Sequence, residues 1–498
     1  MTDAARPRLL LLALDAMEIS VLEELFADGK LPNLRAFAEG SSRVSVASIG
    51  GELHGSLWPT FASGTGPGVH GVYWWTQWLA EEMRHVRNSH EAFRYEPFWA
   101  SLARAGIRSC VIDVPYAPMV ELAEVRQFVG WGIHDEVETV GWPASFGPQI
   151  RKQYGRHPLS FDTVEPQSLG EKRAMVRDLR KGMAMRARLV EGILREGRDD
   201  LVLVTCGETH KAGHYLAERQ DLAPGLSNVS AIGEVLAALD EAWPRIIDAA
   251  GAGCHVMLFA LHGMMHQVDY SNGLAAQLLA IANGKDPAAG VAPPDLLRRI
   301  RDLIPDSLHR AIWKRLPARI RAARQGHLVE AAGDYAHDRL IRVGHDGHLG
   351  VRMNLKGRER DGVIDSETGE QSLANLWSIA REYAVADGRP AFEGLWRSSE
   401  QAPGPRQHRL PDALLLGNLE VPRTDRLVGP GGKLLFSSTP EARNGVHTGR
   451  GFCFFRPASG TTAVPSRETW ANEDFAPTIF DLLGVPPLDT FQGRSGLA

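Results

Sequence analysis

Cysteine is scarce in this sequence. Four cysteines occur among 498 residues, far apart and mostly within apolar runs: Cys110, Cys206, Cys254 and Cys453. They form no CxxC pair and show no dense spacing, which argues against a disulfide framework. The pattern indicates buried free thiols in a reducing compartment.

Long hydrophobic runs are also missing. The N-terminal stretch MTDAARPRLLLLALDAM has an apolar run of about six residues before Asp15 and lacks a small-residue cleavage site. No stretch elsewhere approaches the ~20 apolar residues that a bilayer crossing requires. We therefore expect a first buried strand at this end of the chain, no membrane insertion and a cytoplasmic protein.

A strong charge of either sign is absent as well. The formal net charge is -5 and the pI is about 6.4, so the basic footprint of a nucleic-acid-binding protein is missing and no nucleic acid polymer is expected as a partner. A small solute is the expected ligand. Length and a hydrophobic content of 44% permit one large domain or two to three smaller ones. The oligomeric state stays open, and a homodimer is one option.

What the sequence does contain is a regular alternation of apolar runs and helical patterns. The apolar runs are LLLLAL (9–14), CVIDVP (110–115), LVLVTC (201–206) and HVMLFAL (255–261). Such runs, separated by helices, predict an α/β fold with a mostly parallel sheet covered on both faces. Ligands of these sheets bind beyond the carboxyl ends of the strands. The polar residues at those positions are Asp15, Glu208, His210, His214 and His262.

The composition changes between residues 276 and 404. An Ala/Gly/Pro-rich stretch is followed by a basic helical patch and by a segment with little apolar periodicity. We interpret 276–404 as an inserted cap region on a core formed by 1–275 and 405–498.

Three histidine-bearing segments stand out: GETHKAGHYL, FALHGMMH and NGVHTGRGF. Neutral imidazole is the commonest metal ligand, and two histidines four residues apart, such as His210 and His214, can face one ion. A single histidine is more often just hydrogen-bonded within a core or solvated on a surface. Several histidines placed after predicted strands instead favour a shared metal site.

Several segments, in order along the chain, resemble the alkaline phosphatase superfamily, and within it the type I phosphodiesterase and nucleotide pyrophosphatase branch. The segments are LLALDAMEISVLEELFADGKLPNLRAFAEG, WPTFASGTGPGVHGVYWW, VIDVPYAP, VRMNLKGRERDGVI and DFAPTIFDLLGVP. The resemblance covers nearly the whole chain. It implies a three-layer α/β/α sandwich around a mostly parallel sheet.

The resemblance also implies a divalent-metal cofactor, usually zinc, with two ions and an attacking Ser or Thr. Paired cations neutralise charge on the attacking and leaving oxygens of a phosphoryl transfer. Asp15 matches the first aspartate of one metal site, and His262 matches the histidine of the D-H-G motif. His210 and His214 match the D-x-x-G-H pair of the other site, and His447 matches its distal histidine.

Three positions depart from the family pattern. His210 and Leu261 stand where the family has aspartates, and His54 stands at the position of the nucleophile. Ser56, two residues further on, could serve as nucleophile only if the loop before Trp58 is shorter than usual. Fewer anionic ligands make the site more electropositive and weaken the retention of a second ion.

These departures are compatible with two arrangements of the metal site, and the number of bound ions is one or two. In the first, His210, His214 and His447 hold one cation, as in open three-histidine zinc sites, and water or Ser56 attacks. In the second, the remaining residues rebuild an altered second site and water is the nucleophile. That second set comprises Asp15, His54 and His262, with His266 as a further member.

The sequence therefore predicts a metal-dependent phosphoric ester hydrolase, of the phosphodiesterase or nucleotide pyrophosphatase type, with a small anionic substrate. One alternative is a site redirected to sulfate, phosphonate, lyase or isomerase chemistry on an anion. Sulfatase activity is disfavoured, since no C/S-x-P-x-R motif surrounds Ser56. The other alternative is a pseudoenzyme that binds a metal or an anion without turnover.

Overall fold

The computed structural model describes residues 8–87, 93–133, 139–159, 166, 168–217, 227–266, 273–287, 335–345, 347–421, 425–436 and 445–498. The chain forms two compact units. The first comprises Met1–His70, Ser89–His266 and Arg443–Ala498, and the second comprises Gly71–Asn88 and Gln267–Ala442. The predicted insertion, 276–404, falls within the second unit, and its boundaries stay a prediction. The basic patch at 298–324 lies outside the described residues.

The described strands and helices are as follows. The strands are β1 (Arg8–Leu14), β2 (Ser42–Ala47), β3 (Thr76–Leu79), β4 (Arg84–Arg87), β5 (Ser109–Ile112), β6 (Val125–Val129), β7 (Val140–Trp142), β8 (Leu201–Cys206), β9 (Cys254–Ala260), β10 (Gly263–His266), β11 (Leu340–Val343), β12 (Leu349–Met353), β13 (Phe392–Arg397), β14 (Ala413–Gly417), β15 (Arg426–Val428), β16 (Leu434–Phe436), β17 (Gly445–Thr448), β18 (Arg450–Arg456) and β19 (Thr469–Ala471). The helices are α1 (Ile19–Ala27), α2 (Pro32–Glu39), α3 (Leu57–Ser63), α4 (Pro67–His70), α5 (Phe98–Arg104), α6 (Phe146–Tyr154), α7 (Leu169–Glu196), α8 (Gly207–Tyr215), α9 (Asn228–Ala250), α10 (Leu274–Ala282), α11 (Ser366–Ala380), α12 (Ser398–Gln401) and α13 (Phe475–Leu482).

A nine-stranded sheet forms the centre of the first unit. Its strand order is β19-β2-β18-β9-β1-β8-β5-β6-β7. Strand β1 lies between β8 and β9 and runs parallel to both, whereas β18 is antiparallel to its neighbours β9 and β2. The predicted mostly parallel sheet is therefore confirmed.

Helices cover both faces of this sheet. Leu9 and Leu11 of β1 share an apolar cluster with residues of α3, α5 and α13. Because side chains alternate along a strand, Leu10 and Leu12 point to the opposite face, where they are fully buried. On that side α7 packs against β8 and against α9. Burial on both faces explains the unbroken apolar run, and the α/β/α sandwich is confirmed.

The long helix α7 has clear sequence signals at both ends. Ser168 and Glu171 form a capping box at its start, and Gly197 adopts φ 62° at its end. Among the described helices, none is long and apolar enough to span a bilayer. All four cysteines are buried free thiols, as their apolar surroundings predicted.

The second unit contains its own sheet and core. Strands β11, β12, β14 and β13 form an antiparallel four-stranded sheet in that order. Residues of this sheet and of helices α10 and α11 share a separate apolar cluster. The second unit thus has an apolar core distinct from that of the first.

Candidate metal centre

The predicted site residues meet at the carboxyl edge of the central sheet. Asp15 follows β1, and helix α8, which carries His210 and His214, begins directly after β8. His262 follows β9 and precedes β10. Strands β8 and β9 are both parallel to β1, so their carboxyl ends lie at one edge. Strand β17 pairs with β10 in antiparallel register, with Met264 opposite His447, and thereby brings the last histidine to the same edge.

Three buried imidazoles converge there. The ligand atoms of His210, His214 and His447 lie within 4.8 Å of one another. His210 and His214 are one helical turn apart on α8, and their Nε2 atoms are 3.0 Å apart. Within the described part of the chain, this is the one group of three or more His, Cys, Asp or Glu side chains close enough to share an ion. The three residues could therefore hold a metal ion.

Hydrogen bonds on the far side of two rings fix which nitrogen faces the centre. The Nδ1 of His214 donates to the backbone carbonyl of Gly445 at 3.1 Å, since a carbonyl can only accept. The Nδ1 of His210 donates to Oδ2 of Asp15 at 2.7 Å. Both Nε2 atoms then carry lone pairs, and two lone pairs 3.0 Å apart repel each other unless a cation or a proton lies between them. This donor set fits a divalent cation bound through Nε2.

His447 is neutral in this environment. Burial lowers the pKa of His447 well below its usual value, and the charges of four neighbouring histidines, His54, His262, His210 and His214, lower it further. A neutral imidazole keeps a lone pair for a metal. Its Nδ1 lies 3.2 Å from Nδ1 of His262, and His262 Nδ1 also lies 3.1 Å from the carbonyl of Gly263.

Asp15 is the carboxylate of the cluster. Burial by itself raises the pKa of Asp15, but the charges and hydrogen bonds of His210 and His262 outweigh it and hold the pKa below its usual value. Oδ1 accepts a hydrogen bond from the indole Nε1 of Trp58 at 3.1 Å. The hydroxyl of Thr209 donates to the backbone carbonyl of Asp15 at 2.6 Å, which ties the first turn of α8 to the end of β1. Asp15 is therefore ionised and held from several sides.

The two residues considered for attack on the substrate differ in exposure. His54 is half-buried, and its ring stacks on that of His447 with centroids 4.4 Å apart. Ser56 is 0% exposed and precedes α3 without capping that helix through its side chain. The role of Ser56 as nucleophile stays a prediction. His266, considered as an extra ligand, is exposed at the far end of β10.

A second buried network lies at the start of α8, and the sequence signalled it only through Glu208. Glu208 accepts hydrogen bonds from Arg186 at 3.0 Å and from Nε2 of His157 at 2.8 Å. Arg186 also donates to Asp113 at 3.0 Å, and all four side chains are buried. The imidazole that Glu208 orients is that of His157, which does not belong to the histidine cluster.

Sequence reasoning missed several of these partners. Trp58 was noted only as a neighbour of Ser56 and Asp113 only as part of the segment VIDVPYAP, and no motif or spacing pointed to Arg186 or His157. Their contacts join residues 22 to 73 positions apart, so no local pattern reports them. Trp58, which follows the nucleophile position, was the one partner that the sequence could have indicated, since a buried indole N–H usually finds an acceptor.

Comparison with known proteins agrees with this architecture. Residues 9–416 match the family model of type I phosphodiesterases and nucleotide pyrophosphatases. The chain belongs to the type I phosphodiesterase/nucleotide pyrophosphatase family, within the alkaline phosphatase superfamily. No curated protein matches the sequence.

Two solved structures are similar to the chain over nearly its whole length. Phosphonoacetate hydrolase from Sinorhizobium meliloti 1021, in complex with phosphonoformate, is similar with a TM-score of 0.51 at 14% identity, over 96% of this chain and 96% of that chain. Murine ectonucleotide pyrophosphatase/phosphodiesterase 5 gives a TM-score of 0.49 at 10% identity, over 98% of this chain and 97% of that chain. At such identities the likeness to the hydrolase is one of fold alone.

Proposed function

We propose that this protein is a metal-dependent phosphoric ester hydrolase that cleaves small phosphodiesters or nucleotide pyrophosphates. The observation that carries the proposal is the convergence of three buried imidazoles, His210, His214 and His447, at the carboxyl edge of the sheet. That edge is where ligands of parallel α/β sheets bind. Membership of a phosphodiesterase family supports the reaction class.

The donor set favours zinc. Three histidines with one position left open are the ligands of catalytic zinc sites. A divalent cation held there would act as a Lewis acid toward a phosphoryl oxygen and would lower the pKa of a water molecule. A metal-bound imidazole is neutral, and Asp15 is already paired with His210, so a bound cation would keep most of its positive charge and attract a small anionic substrate.

His54 is the residue that we assign to proton transfer. It is half-buried beside the ligand His447, so it can reach both solvent and a substrate at the centre. Imidazole is the most frequent general acid and base in enzymes. Ser56 is fully buried, so a phosphorus atom could reach its hydroxyl only after the preceding loop moved. We therefore assign attack on phosphorus to water.

Turnover of bis(4-nitrophenyl) phosphate by purified protein tests the proposal. We expect activity that is lost with a chelator and restored by Zn²⁺. Loss of a group that merely orients a metal ligand costs about 10–100-fold, so His447→Ala, which removes a ligand, should lower kcat/KM by more than that. His255→Gln is the matched control, because His255 is a buried histidine on β9 whose Nδ1 accepts from the backbone of Ala458.

A broad substrate panel decides between the alternatives. The proposal fails if zinc-replete protein turns over no phosphodiester and no pyrophosphate. Turnover confined to a phosphonate or a sulfate ester would mean that the site is redirected to another reaction. Tight zinc binding without any turnover would identify a pseudoenzyme.

A further inference from the structure

Asp15 has both carboxylate oxygens engaged by N–H donors. Oδ2 accepts from Nδ1 of His210 at 2.7 Å. Oδ1 accepts from the indole of Trp58 at 3.1 Å, and Nε2 of His262 lies 3.5 Å from the same oxygen. Each oxygen therefore accepts one N–H hydrogen bond, and this pairing competes with coordination of an ion.

The geometry matches a carboxylate that holds a metal-bound imidazole. Such a carboxylate accepts the Nδ1 proton of the histidine, fixes the tautomer and leaves Nε2 to the metal. In this chain the Nε2 of His210 points to within 3.0 Å of Nε2 of His214, on the side away from Asp15. Asp15 therefore acts on the centre through His210.

The position that would support a second ion carries no ligand atom. Leu261 precedes His262 at the end of β9, is 1% exposed and belongs to the main apolar cluster of the first unit. Within the described residues, His210, His214 and His447 make up the one convergent ligand group, and Asp15 and His262 are outside it. A hydrocarbon side chain at 261 and a carboxylate that is already hydrogen-bonded to His210 and Trp58 leave few ligands for another cation.

We propose that Asp15 is a positioning residue for His210 and that this centre holds one divalent cation per chain, not two. The inference rests on the proposed metal centre but is separate from the reaction. It assigns to Asp15 a role different from the direct metal coordination that the sequence resemblance implied. It also gives Trp58 a function, which is to hold the carboxylate in place through its indole N–H.

Metal stoichiometry and affinity test this assignment without any measurement of turnover. Full-length wild-type protein and Asp15→Asn are loaded with Zn²⁺, and bound zinc is measured by elemental analysis and by competition with a chelating dye. We expect one ion in both proteins, bound about 10–100-fold more weakly by the variant. Asp240→Asn is the control, since Asp240 is a buried carboxylate that accepts from Leu34 and Asn33, and its zinc binding should be unchanged.

Each other outcome overturns the assignment. Two ions in the wild type and one in Asp15→Asn would make Asp15 a ligand of a second site, while the proposed function would stand. Equal zinc affinity of the two proteins would remove the positioning role. Wild-type protein that binds no zinc would overturn this inference together with the proposed function.

A measurement on the wild type covers the case in which Asp15→Asn does not fold. Nitrogen-15 NMR of labelled histidine in zinc-loaded protein distinguishes a protonated ring nitrogen from a metal-bound one. We expect His210 to be protonated at Nδ1 and metal-bound at Nε2. Metal binding through Nδ1 of His210 would contradict the hydrogen bond to Asp15 on which the inference depends.

Discussion

A hydrogen-bond acceptor behind the ring orients each of His214 and His210. The carbonyl of Gly445 holds one ring and the carboxylate of Asp15 holds the other. An imidazole has two nitrogens, and the one that faces a hydrogen-bond acceptor carries the proton. The other nitrogen then presents its lone pair to the centre. At the residue scale, the centre is therefore specified by the acceptors behind the ligands as much as by the ligands themselves.

Substitution of His54 and Ser56 separates their roles. His54→Gln should lower kcat by about 10²–10⁴-fold, the range expected for loss of a proton-transfer group. Ser56→Ala should change kcat by less than about 3-fold, because a fully buried hydroxyl does not contact substrate. Steady-state kinetics with a nitrophenyl diester measures both. A folded Ser56→Ala protein without activity would instead identify Ser56 as the nucleophile.

His85 in the second unit predicts a pH-dependent stability. Burial, reinforced by the charge of Arg342, lowers the pKa of His85 to about 4. The unfolded chain binds this proton near pH 6.5 and the folded chain does not, so stability is lost as the pH falls from 6.5 to 4. At 1.36 kcal/mol per pKa unit, this loss amounts to about 2–3 kcal/mol.

The comparison protein for this prediction is His85→Phe, which keeps an aromatic ring beside Trp78. Urea unfolding of both proteins at pH 7 and pH 4.5 gives the difference in free energy of unfolding. The wild type should lose more free energy of unfolding than the variant when the pH is lowered from 7 to 4.5. If wild type and variant lose the same free energy of unfolding between pH 7 and pH 4.5, His85 does not cause the loss.

Helix α8 lies very close to two strands at glycines: to β17 at Gly445 and to β10 at Gly213. A Cβ added to Gly445 would lie 1.9 Å from the backbone oxygen of Gly213, and a Cβ added to Gly213 would lie 2.6 Å from the sulfur of Met264. Only a hydrogen atom fits on Gly445 where it faces α8, and on Gly213 where it faces β10. At the element scale, the close approach of Gly445 to Gly213 sets the distance between His214 on α8 and His447 on β17.

Gly445→Ala should therefore weaken zinc binding although no ligand is changed. The new methyl group would push β17 away from α8 and lengthen the separation of His214 and His447. We expect at least about a 10-fold loss in zinc affinity, comparable to loss of an orienting partner. Chelator competition measures it, and Gly253→Ala is the control, because its added Cβ meets nothing within 4 Å. Equal affinities of the two variants would contradict the packing argument.

At the scale of the whole molecule, the centre joins stretches of chain that are far apart in sequence. Asp15 and His210 are 195 residues apart, and His214 and Gly445 are 231 residues apart. A cation that binds the folded form alone stabilises it by RT ln(1 + [L]/Kd), about 2.7 kcal/mol at 100 Kd. Metal binding should thus stabilise the first unit as a whole.

Thermal unfolding checks this stabilisation. Zn²⁺ should raise the melting temperature of the wild type, and a chelator should lower it again. His447→Ala should lose most of the shift, whereas His255→Gln, altered at a buried histidine outside the cluster, should keep it. A shift of equal size in His447→Ala would place the stabilising ion elsewhere.

Much of this arrangement could be predicted from sequence because it follows strand periodicity. Asp15, His210 and His262 each follow a buried run, and parallel strands bring their carboxyl ends to one edge. The antiparallel insertion of β18 between β9 and β2 could not be predicted, since the apolar run GFCFFR is compatible with either direction. It follows from the pairing of β17 with β10, which is a tertiary contact.

The partners behind the ligands were beyond prediction for a similar reason. Trp58 reaches Asp15 across 43 residues, and Gly445 meets Gly213 through a close approach of two elements. Neither contact leaves a periodic or spacing signal in the chain. The role that we propose for Asp15, orientation of His210 in place of direct coordination, rests on its contacts with His210 and Trp58, so it could not be predicted from the sequence.

The first unit is discontinuous, and its return segment brings the third imidazole. The chain leaves this unit after His266 and re-enters it at Arg443, so the segment between them must be synthesised before the three-histidine set can exist. Nascent chains that stop short of His447 possess just the pair on α8. The zinc ion that we propose would therefore find its full set of three imidazoles only after His447 has been synthesised.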